Sequence, residues 1–419
     1  MSAWRGRRLH VVGIAGAGMS AYAIVSRALG ASVTGSDRAE SPYLARVREA
    51  GIEPSIGHAA QNVPAGDDVE VVVSTAIPAS NPELVAARER GLRVLSRADL
   101  LAELTRAKRT IAVAGAHGKT TTTSMVAHAL LACGLDPAYL IGGTLSTTGT
   151  NAAWGSGDWL VVEADESDRS FLALDVEVAV VTNVELDHHT EWASIEDLEA
   201  AFATFLAGAP QAVLPEDLLP LRAGARSADT TVFAGWYGPP LAVPGEHNRR
   251  NAAAALEACV LAGADREEAA RALATFGGAG RRFEVLGKTP TGALVVDDYA
   301  HHPTEVAATI AAARERGAAR VVAVFQPHLY SRTQHLATEF GHALAAADAA
   351  TVVDVYPARE KAEDFPGVSG RLIADAAGGR FLPDLAAAEE ALRGELRDGD
   401  LLLVMGAGDV DSLARALLS

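Results

Sequence analysis

The stretch Ala112-Val113-Ala114-Gly115-Ala116-His117-Gly118-Lys119-Thr120-Thr121-Thr122-Thr123 decides how this chain is read. It follows an apolar run that begins near Thr110 and leads into a helical pattern over 124–133. A strand, a tight glycine turn and a helix N-terminus make an anion site, because backbone N–H groups and the positive end of the helix dipole face phosphate oxygens. Lys119 can reach the outer phosphates and the Thr120 hydroxyl suits Mg²⁺. The common phosphate-loop pattern has glycine where Val113 stands; this chain has the shorter spacing Gly115-x-x-Gly118-Lys119-Thr120.

Composition bounds the rest. The 419 residues are enough for two or three domains with a large buried core. The net charge of −17 argues against broad nucleic-acid binding, which needs a basic surface. Any anionic substrate must therefore be received by local arginines, lysines and helix ends. Cys133 and Cys259 lie in apolar helical patterns and read as buried thiols of a reducing compartment. Arg5, Arg7 and Arg8 precede an apolar stretch over 9–25, but His10, Gly13, Gly16 and Gly18 interrupt it, against an export signal. No run reaches the ~18 apolar residues a membrane span needs, so the expected location is the cytoplasm, with no membrane partner.

Strands alternate with helices along three blocks, 1–107, 108–280 and 281–419, which predicts an α/β protein of three domains, each on a mainly parallel sheet. The first is Rossmann-like: strands over 9–14, 32–35 and 69–74, a helix over 21–29, and a helix starting near Asn81-Pro82. Its Gly13-x-x-Gly16-x-Gly18 turn, with Asp37 further on, suits a generic nucleotide site better than NAD, and the same glycines would also permit close helix–strand packing. The second block is phosphate-loop ATPase-like. Its strands over 159–162 and 178–181 end in Glu163-Ala164-Asp165-Glu166-Ser167-Asp168 and Thr182-Asn183. Acids at strand ends beside a phosphate loop are where Mg²⁺ is held, although a lone acidic run can be a solvated turn. Asp187-His188-His189 has no H-E-x-x-H motif or cysteine pair to support zinc. Further on, Asn248 and Asn251 fall one helical turn apart, a candidate recognition face unless Asn248 merely caps the helix.

The third block is again Rossmann-like, with strands over 293–296, 320–325, 350–355 and 401–404. The first of these ends in Asp297-Asp298-Tyr299-Ala300-His301-His302-Pro303. Pro303 suits the first helical position, which puts His302 at the cap. Polar clusters recur at the carboxyl ends of strands, where ligands of parallel sheets bind.

Together these motifs resemble the Mur ligases over nearly the whole chain. The resemblance rests on GAHGKTTTT (115–123), EADESD (163–168), TNVELDH (182–188), GEHNRRNAAAA (245–255), DDYAHHPTE (297–305), FQPHLYSRT (325–333) and DVYPAREK (354–361). It implies ATP-dependent joining of L-alanine to the lactyl carboxylate of UDP-N-acetylmuramate through an acyl phosphate. Residues 1–107 would hold the UDP-sugar, 108–280 ATP and 281–419 the amino acid, in a monomer or homodimer.

By resemblance, Gly115, Ala116, His117, Gly118, Lys119, Thr120 and Thr121 cradle the phosphates. Thr120, Glu163 and His188 hold metal, His247 and Asn248 lie on the adenine side, and Arg282 and Asp297 touch the rest of the nucleotide. Ser36, Asp37, His58, Ser74, Thr75, Ala76 and Ile77 face the UDP-sugar, with Asn183 also on the substrate side. Tyr299, His301 and Arg332 surround alanine and the sugar carboxylate, so Lys119, His188, His301 and Arg332 are the candidate catalytic residues. The segment 207–244 is short for the family, and Leu329 stands where some relatives carry arginine. No lysine occurs over 164–287, which excludes a carbamylated lysine there and fits the alanine-adding members.

Other functions stay open from sequence. A nicotinamide oxidoreductase would use the Gly13–Gly18 turn but leave Lys119 and the strand-end acids without a role. A phosphate-loop switch would hydrolyse ATP without making a bond. A recycling ligase adding a tripeptide to the same sugar would differ chiefly in the third domain's pocket.

Overall fold

The computed structural model describes residues 4–74, 76–186, 191–222 and 229–419. The first sheet holds β1 (Arg8–Val12), β2 (Ser32–Asp37), β3 (Ser55–Ile56), β4 (Val69–Val73) and β5 (Arg93–Ser96), in the order β3-β2-β1-β4-β5. All its pairings are parallel. Helices α1 (Ala17–Ala28), α2 (Pro42–Glu49), α3 (Pro82–Glu89) and α4 (Arg97–Thr105) connect them. The Asn81 side chain caps α3 ahead of Pro82, as the Asn-Pro pair predicts.

The second sheet contains β6 (Arg109–Ala114), β7 (Ala138–Leu145), β8 (Thr150–Ala153), β9 (Trp159–Glu163), β10 (Val178–Val181), β11 (Gln211–Pro215) and β12 (Asp229–Phe233). Its order is β12-β11-β10-β6-β9-β7-β8, parallel except for the β7–β8 hairpin. Helices α5 (Lys119–Ala132), α6 (Ile195–Gly208), α7 (Glu246–Leu261) and α8 (Arg266–Ala274) follow. The hairpin was not expected from sequence. Neither was the start of α5 at Lys119 rather than 124: Thr120–Thr123 are poor helix formers, yet all four are buried there, and packing overrides propensity. Helix α1 likewise begins at Ala17, four residues before the expected 21. The segment 207–244 keeps two strands, β11 and β12.

The third sheet contains β13 (Glu284–Lys288), β14 (Leu294–Asp298), β15 (Arg320–Phe325), β16 (Ala349–Val352), β17 (Arg380–Phe381) and β18 (Asp400–Met405). Its order is β13-β14-β18-β15-β16-β17, with only β13 antiparallel among the described strands. Helices α9 (Pro303–Glu315), α10 (Tyr330–Leu344), α11 (Gly370–Ala377), α12 (Leu385–Glu395) and α13 (Asp411–Ala416) cover it. Strand β18 shows why such runs are apolar throughout: Leu401, Leu403 and Met405 enter one core while Leu402 and Val404 enter the other.

The chain divides into two compact units, Met1–Pro240 with Arg250–Phe276, and Leu241–Arg249 with Gly277–Ser419. In the first, one continuous apolar core joins the first two sheets, from Leu9 and Val25 to Leu160 and Phe202. Both cysteines are free thiols; Cys259 is buried as expected, whereas Cys133, at the C-terminal end of α5, is only half-buried. Among the described residues no helix is long and apolar enough to cross a membrane.

Candidate active site

Strand β6 lies between β10 and β9, so its phosphate loop emerges with a strand end on either side. Gly115 has φ +135°, and a Cβ there would sit 2.2 Å from Thr182 Oγ1. Gly118 caps α5 in the left-handed region at φ +81°, and a Cβ there would meet Asn251 Oδ1 at 2.5 Å. Only glycine fits either place. The loop is fastened to the end of β10. Thr182 Oγ1 donates to the His117 carbonyl at 2.6 Å, and the Asn183 amide accepts from His117 N and donates to its carbonyl, at 3.0 and 2.9 Å. Asn183, expected on the substrate side, thus spends both ends of its amide on the loop.

Lys119 Nζ donates to the Gly115 carbonyl at 2.7 Å and pairs with both oxygens of buried Glu166 at 3.0 and 2.9 Å. Burial disfavours its charge, but Glu166 and Asp165 outweigh that and hold its pKa above the ordinary value. Thr120 Oγ1 donates to Glu163 Oε2 at 3.0 Å, and Gly142 N donates to Glu163 Oε1 at 2.5 Å. A hydroxyl and a carboxylate meeting beside a phosphate loop are the oxygen donors a hard divalent cation takes. The glycine cradle, Lys119 and this pair therefore fit a nucleotide with its metal. The third expected ligand, His188, lies outside the described residues, as does Thr75.

At the carboxyl ends of β1, β2 and β4 the expected sugar-side residues gather. Asp37 Oδ2 accepts from Ala15 N at 2.8 Å, which fixes the glycine turn. Ser74 and Ile77 close a tight turn through Ile77 N and the Ser74 carbonyl, and Ala76 is exposed within it. Ser36 Oγ lies 3.0 Å from His58 Nδ1 and donates to Glu83 Oε2 at 2.5 Å. Glu83 is fully buried and also takes His10 Nε2 (3.2 Å), Asn62 Nδ2 (2.7 Å) and Ala59 N (3.1 Å). Burial raises a carboxyl pKa, but these bonds reverse it and hold Glu83 at about 2. Sequence reasoning missed Glu83 and His10; an acid two residues past a helix cap reads as an exposed first-turn residue.

In the second unit, Asp297, the penultimate residue of β14, has no exposure, and its Oδ2 accepts from Arg281 Nε at 3.2 Å. Asp297 Oδ1 has no hydrogen-bond partner among the described residues, and burial pushes the carboxyl up to about 6. Arg282 approaches Glu305 at 3.5 Å and lies 5.1 Å from the Tyr299 ring centre. His301 Nδ1 contacts the Tyr299 carbonyl at 3.0 Å, and burial pushes the ring down to about 3, so it is neutral at pH 7. His302 caps α9, as expected. Arg332 is buried in the first turn of α10, behind Leu329, which has φ +74°. Gly245, His247 and Asn248 belong to this unit: Gly245 N donates to Glu315 at 3.1 Å and Asn248 Nδ2 to the Pro244 carbonyl at 2.6 Å. Burial lowers the His247 pKa.

A phosphate loop on a central parallel strand, flanked by strand-end acids, defines a nucleotide-handling α/β protein. Three family descriptions match in order: "Mur ligase family, catalytic domain" over residues 8–109, "Mur ligase middle domain" over 113–232, and "Mur ligase, glutamate ligase domain" over 281–408. The chain belongs to the Mur ligase family. It is 46% identical to the UDP-N-acetylmuramate–L-alanine ligase of Acidithiobacillus ferrooxidans over 452 positions, covering 97% of this chain and 96% of that one. That length exceeds the 419 residues here, so the relative carries residues this chain lacks. Identity to the same ligase of Kineococcus radiotolerans is 47%, over 98% and 96% of the two chains. The crystal structure of a UDP-N-acetylmuramate–alanine ligase from Thermotoga maritima superposes with a TM-score of 0.81 at 29% identity, covering 98% of each. A murein peptide ligase from Psychrobacter arcticus shares the fold, with a TM-score of 0.74 at 24% identity, covering 99% and 98%.

Proposed function

We propose that this chain is an ATP-dependent ligase that joins L-alanine to the lactyl carboxylate of UDP-N-acetylmuramate, an early step in building the cell-wall peptide. The observation that carries the reading is the identity of 46% to alanine-adding ligases over 97% of the chain. The phosphate loop and its Thr120–Glu163 pair supply the chemistry this requires. Residues 1–107 would hold the sugar nucleotide, 108–280 ATP, and 281–419 the amino acid.

In this reaction a carboxylate oxygen attacks the terminal phosphorus and ADP leaves. The amine of L-alanine then attacks the acyl carbon, and phosphate leaves with the carboxylate oxygen. Bringing a carboxylate to a triphosphate sets anion against anion, so positioning and charge neutralisation dominate. When bound, Mg²⁺ supplies neutralisation between the two; Thr120, Glu163 and His188 would hold it. Lys119, kept cationic by Glu166, balances charge on the transferring phosphoryl, and the N–H groups that open α5 receive its oxygens. His301 stays neutral; with Nδ1 donating to the Tyr299 carbonyl, Nε2 is left as a hydrogen-bond acceptor that orients the incoming amine, and burial makes it too weak a base to carry the amine's proton away. Arg332 provides fixed positive charge for a carboxylate.

The test is ADP release with UDP-N-acetylmuramate and, in turn, L-alanine, L-serine, glycine and a tripeptide. Release with L-alanine is expected. Release only with the tripeptide would make the chain a recycling ligase, and release without any amine acceptor would make it an ATPase.

A further inference from the structure

Arg97 is the first residue of α4, directly after the Ser96 cap. A cation there faces the positive end of the helix dipole, where an acid is favoured, and Asp99 already supplies that acid through a capping box. Arg97 is therefore placed against its local preference, a mark of a residue kept for something other than the helix.

Its ion pairs are long. Arg97 Nη2 lies 3.5 Å from both Asp165 and Asp168, whereas Arg7 meets Glu70, and Arg320 meets Asp400, at 2.6 Å. Close charge-assisted bonds fall at about 2.7–2.9 Å, so the guanidinium is charge-balanced but poorly bonded. It borders a cavity of about 80 Å³ within the first unit. Gly18 and Tyr22 of α1 line one wall, and Gly142, Glu163 and Asp165 the other. A Cβ on Gly18 would come within 4.0 Å of Arg97 Cδ. Burial pushes the Tyr22 phenol up to about 12, so it remains a hydrogen-bond donor. The cavity thus runs from the glycine turn of the first sheet to the carboxylate bonded to Thr120.

We propose that Arg97 is the residue that receives the carboxylate of the sugar nucleotide, exchanging its two long pairs with Asp165 and Asp168 for one two-pronged pair with the substrate. The inference rests on the function proposed above, in which a carboxylate must travel from the sugar-binding sheet to the phosphate loop. Holding it there orients one oxygen and offsets its repulsion from Glu163. The guanidinium fork suits a carboxylate geometrically, and an ammonium does not.

Calorimetric titration with two probes tests this. UDP-N-acetylmuramate carries the lactyl carboxylate; UDP-N-acetylglucosamine has the same nucleotide and sugar ring without it. The intact chain is expected to prefer the first by about tenfold or more, the range of one hydrogen-bonded charge pair. Arg97→Gln should bind the two within about twofold, and Arg97→Lys should keep only part of the preference. A preference that survives in Arg97→Gln overturns the proposal, whether both ligands weaken together, as they would if Arg97 held the diphosphate, or neither does. If Arg97→Gln does not fold, Arg97→Lys decides: an undiminished preference overturns the proposal. An intact chain that binds both probes equally overturns it too. An intact chain that binds neither overturns the proposed function itself.

Discussion

Glu83→Gln should destabilise the first unit by an amount that depends on pH in a calculable way. Glu83 Oε1 accepts from Ala59 N and Asn62 Nδ2, and Oε2 accepts from Ser36 Oγ and lies beside His10 Nε2. A glutamine must keep its oxygen toward the backbone donor and turn its NH₂ toward Ser36, which reverses that hydroxyl. What is lost is the preference of this site for a charged acceptor. The carboxyl sits at about 2 against an ordinary 4.5, a difference worth about 3 kcal/mol at neutral pH. Because the folded value lies below the unfolded one, the stabilisation is complete above about pH 4.5 and disappears as acid titrates the group toward pH 2. Linkage gives about 1.4 kcal/mol remaining at pH 3, so the deficit of the variant should roughly halve between pH 7 and pH 3. Tryptophan fluorescence in a urea titration isolates the effect, because all five tryptophans (4, 154, 159, 192 and 236) belong to the first unit. A Glu83→Gln chain as stable as the parent at pH 7, or a deficit unchanged at pH 3, would refute the assignment of Glu83 as an ionised anchor.

Three further outcomes follow from the same contacts. Lys119→Ala should abolish ADP formation and also cost about 3–5 kcal/mol by stranding the buried Glu166 carboxylate; adding Glu166→Gln should restore urea resistance but not turnover. Gly115→Ala would set a Cβ 2.2 Å from Thr182 Oγ1 at φ +135°, so nucleotide binding followed by calorimetry should fall by at least about tenfold. Asp297 runs opposite to Glu83: burial raises it to about 6, so its ionised form costs stability above that pH and the cost is relieved as pH falls toward 4. Asp297→Asn should therefore stabilise the second unit at pH 8 by up to about 3 kcal/mol, a gain absent at pH 4. Equal calorimetric stability at pH 8 would count against it.

The phosphate loop, the acids after β9 and the cap at His302 were legible in the sequence because each is a short-range pattern whose spacing carries the geometry. Strand β15 was also legible, to the residue, since a central parallel strand is apolar on both faces. What escaped depended on contacts far along the chain. Glu83 reads as a routine helix-start acid until its partners at positions 10, 36, 59 and 62 are brought around it. Thr120–Thr123 read as a loop because propensity speaks against a helix and burial does not show in local sequence. The edge strands β3 and β17 are two residues long, too short to carry a period. Asn183 is assigned to the substrate side by family resemblance, which carries no information that its amide is bonded to the His117 backbone.

The central claim is that this phosphate loop serves to activate a carboxylate. It can be tested directly by supplying UDP-N-acetylmuramate labelled with ¹⁸O in the lactyl carboxylate, together with ATP and L-alanine, and analysing the products by mass spectrometry. Acyl-phosphate chemistry predicts ADP and inorganic phosphate carrying one ¹⁸O per amide bond formed. Unlabelled phosphate, or AMP in place of ADP, would contradict it.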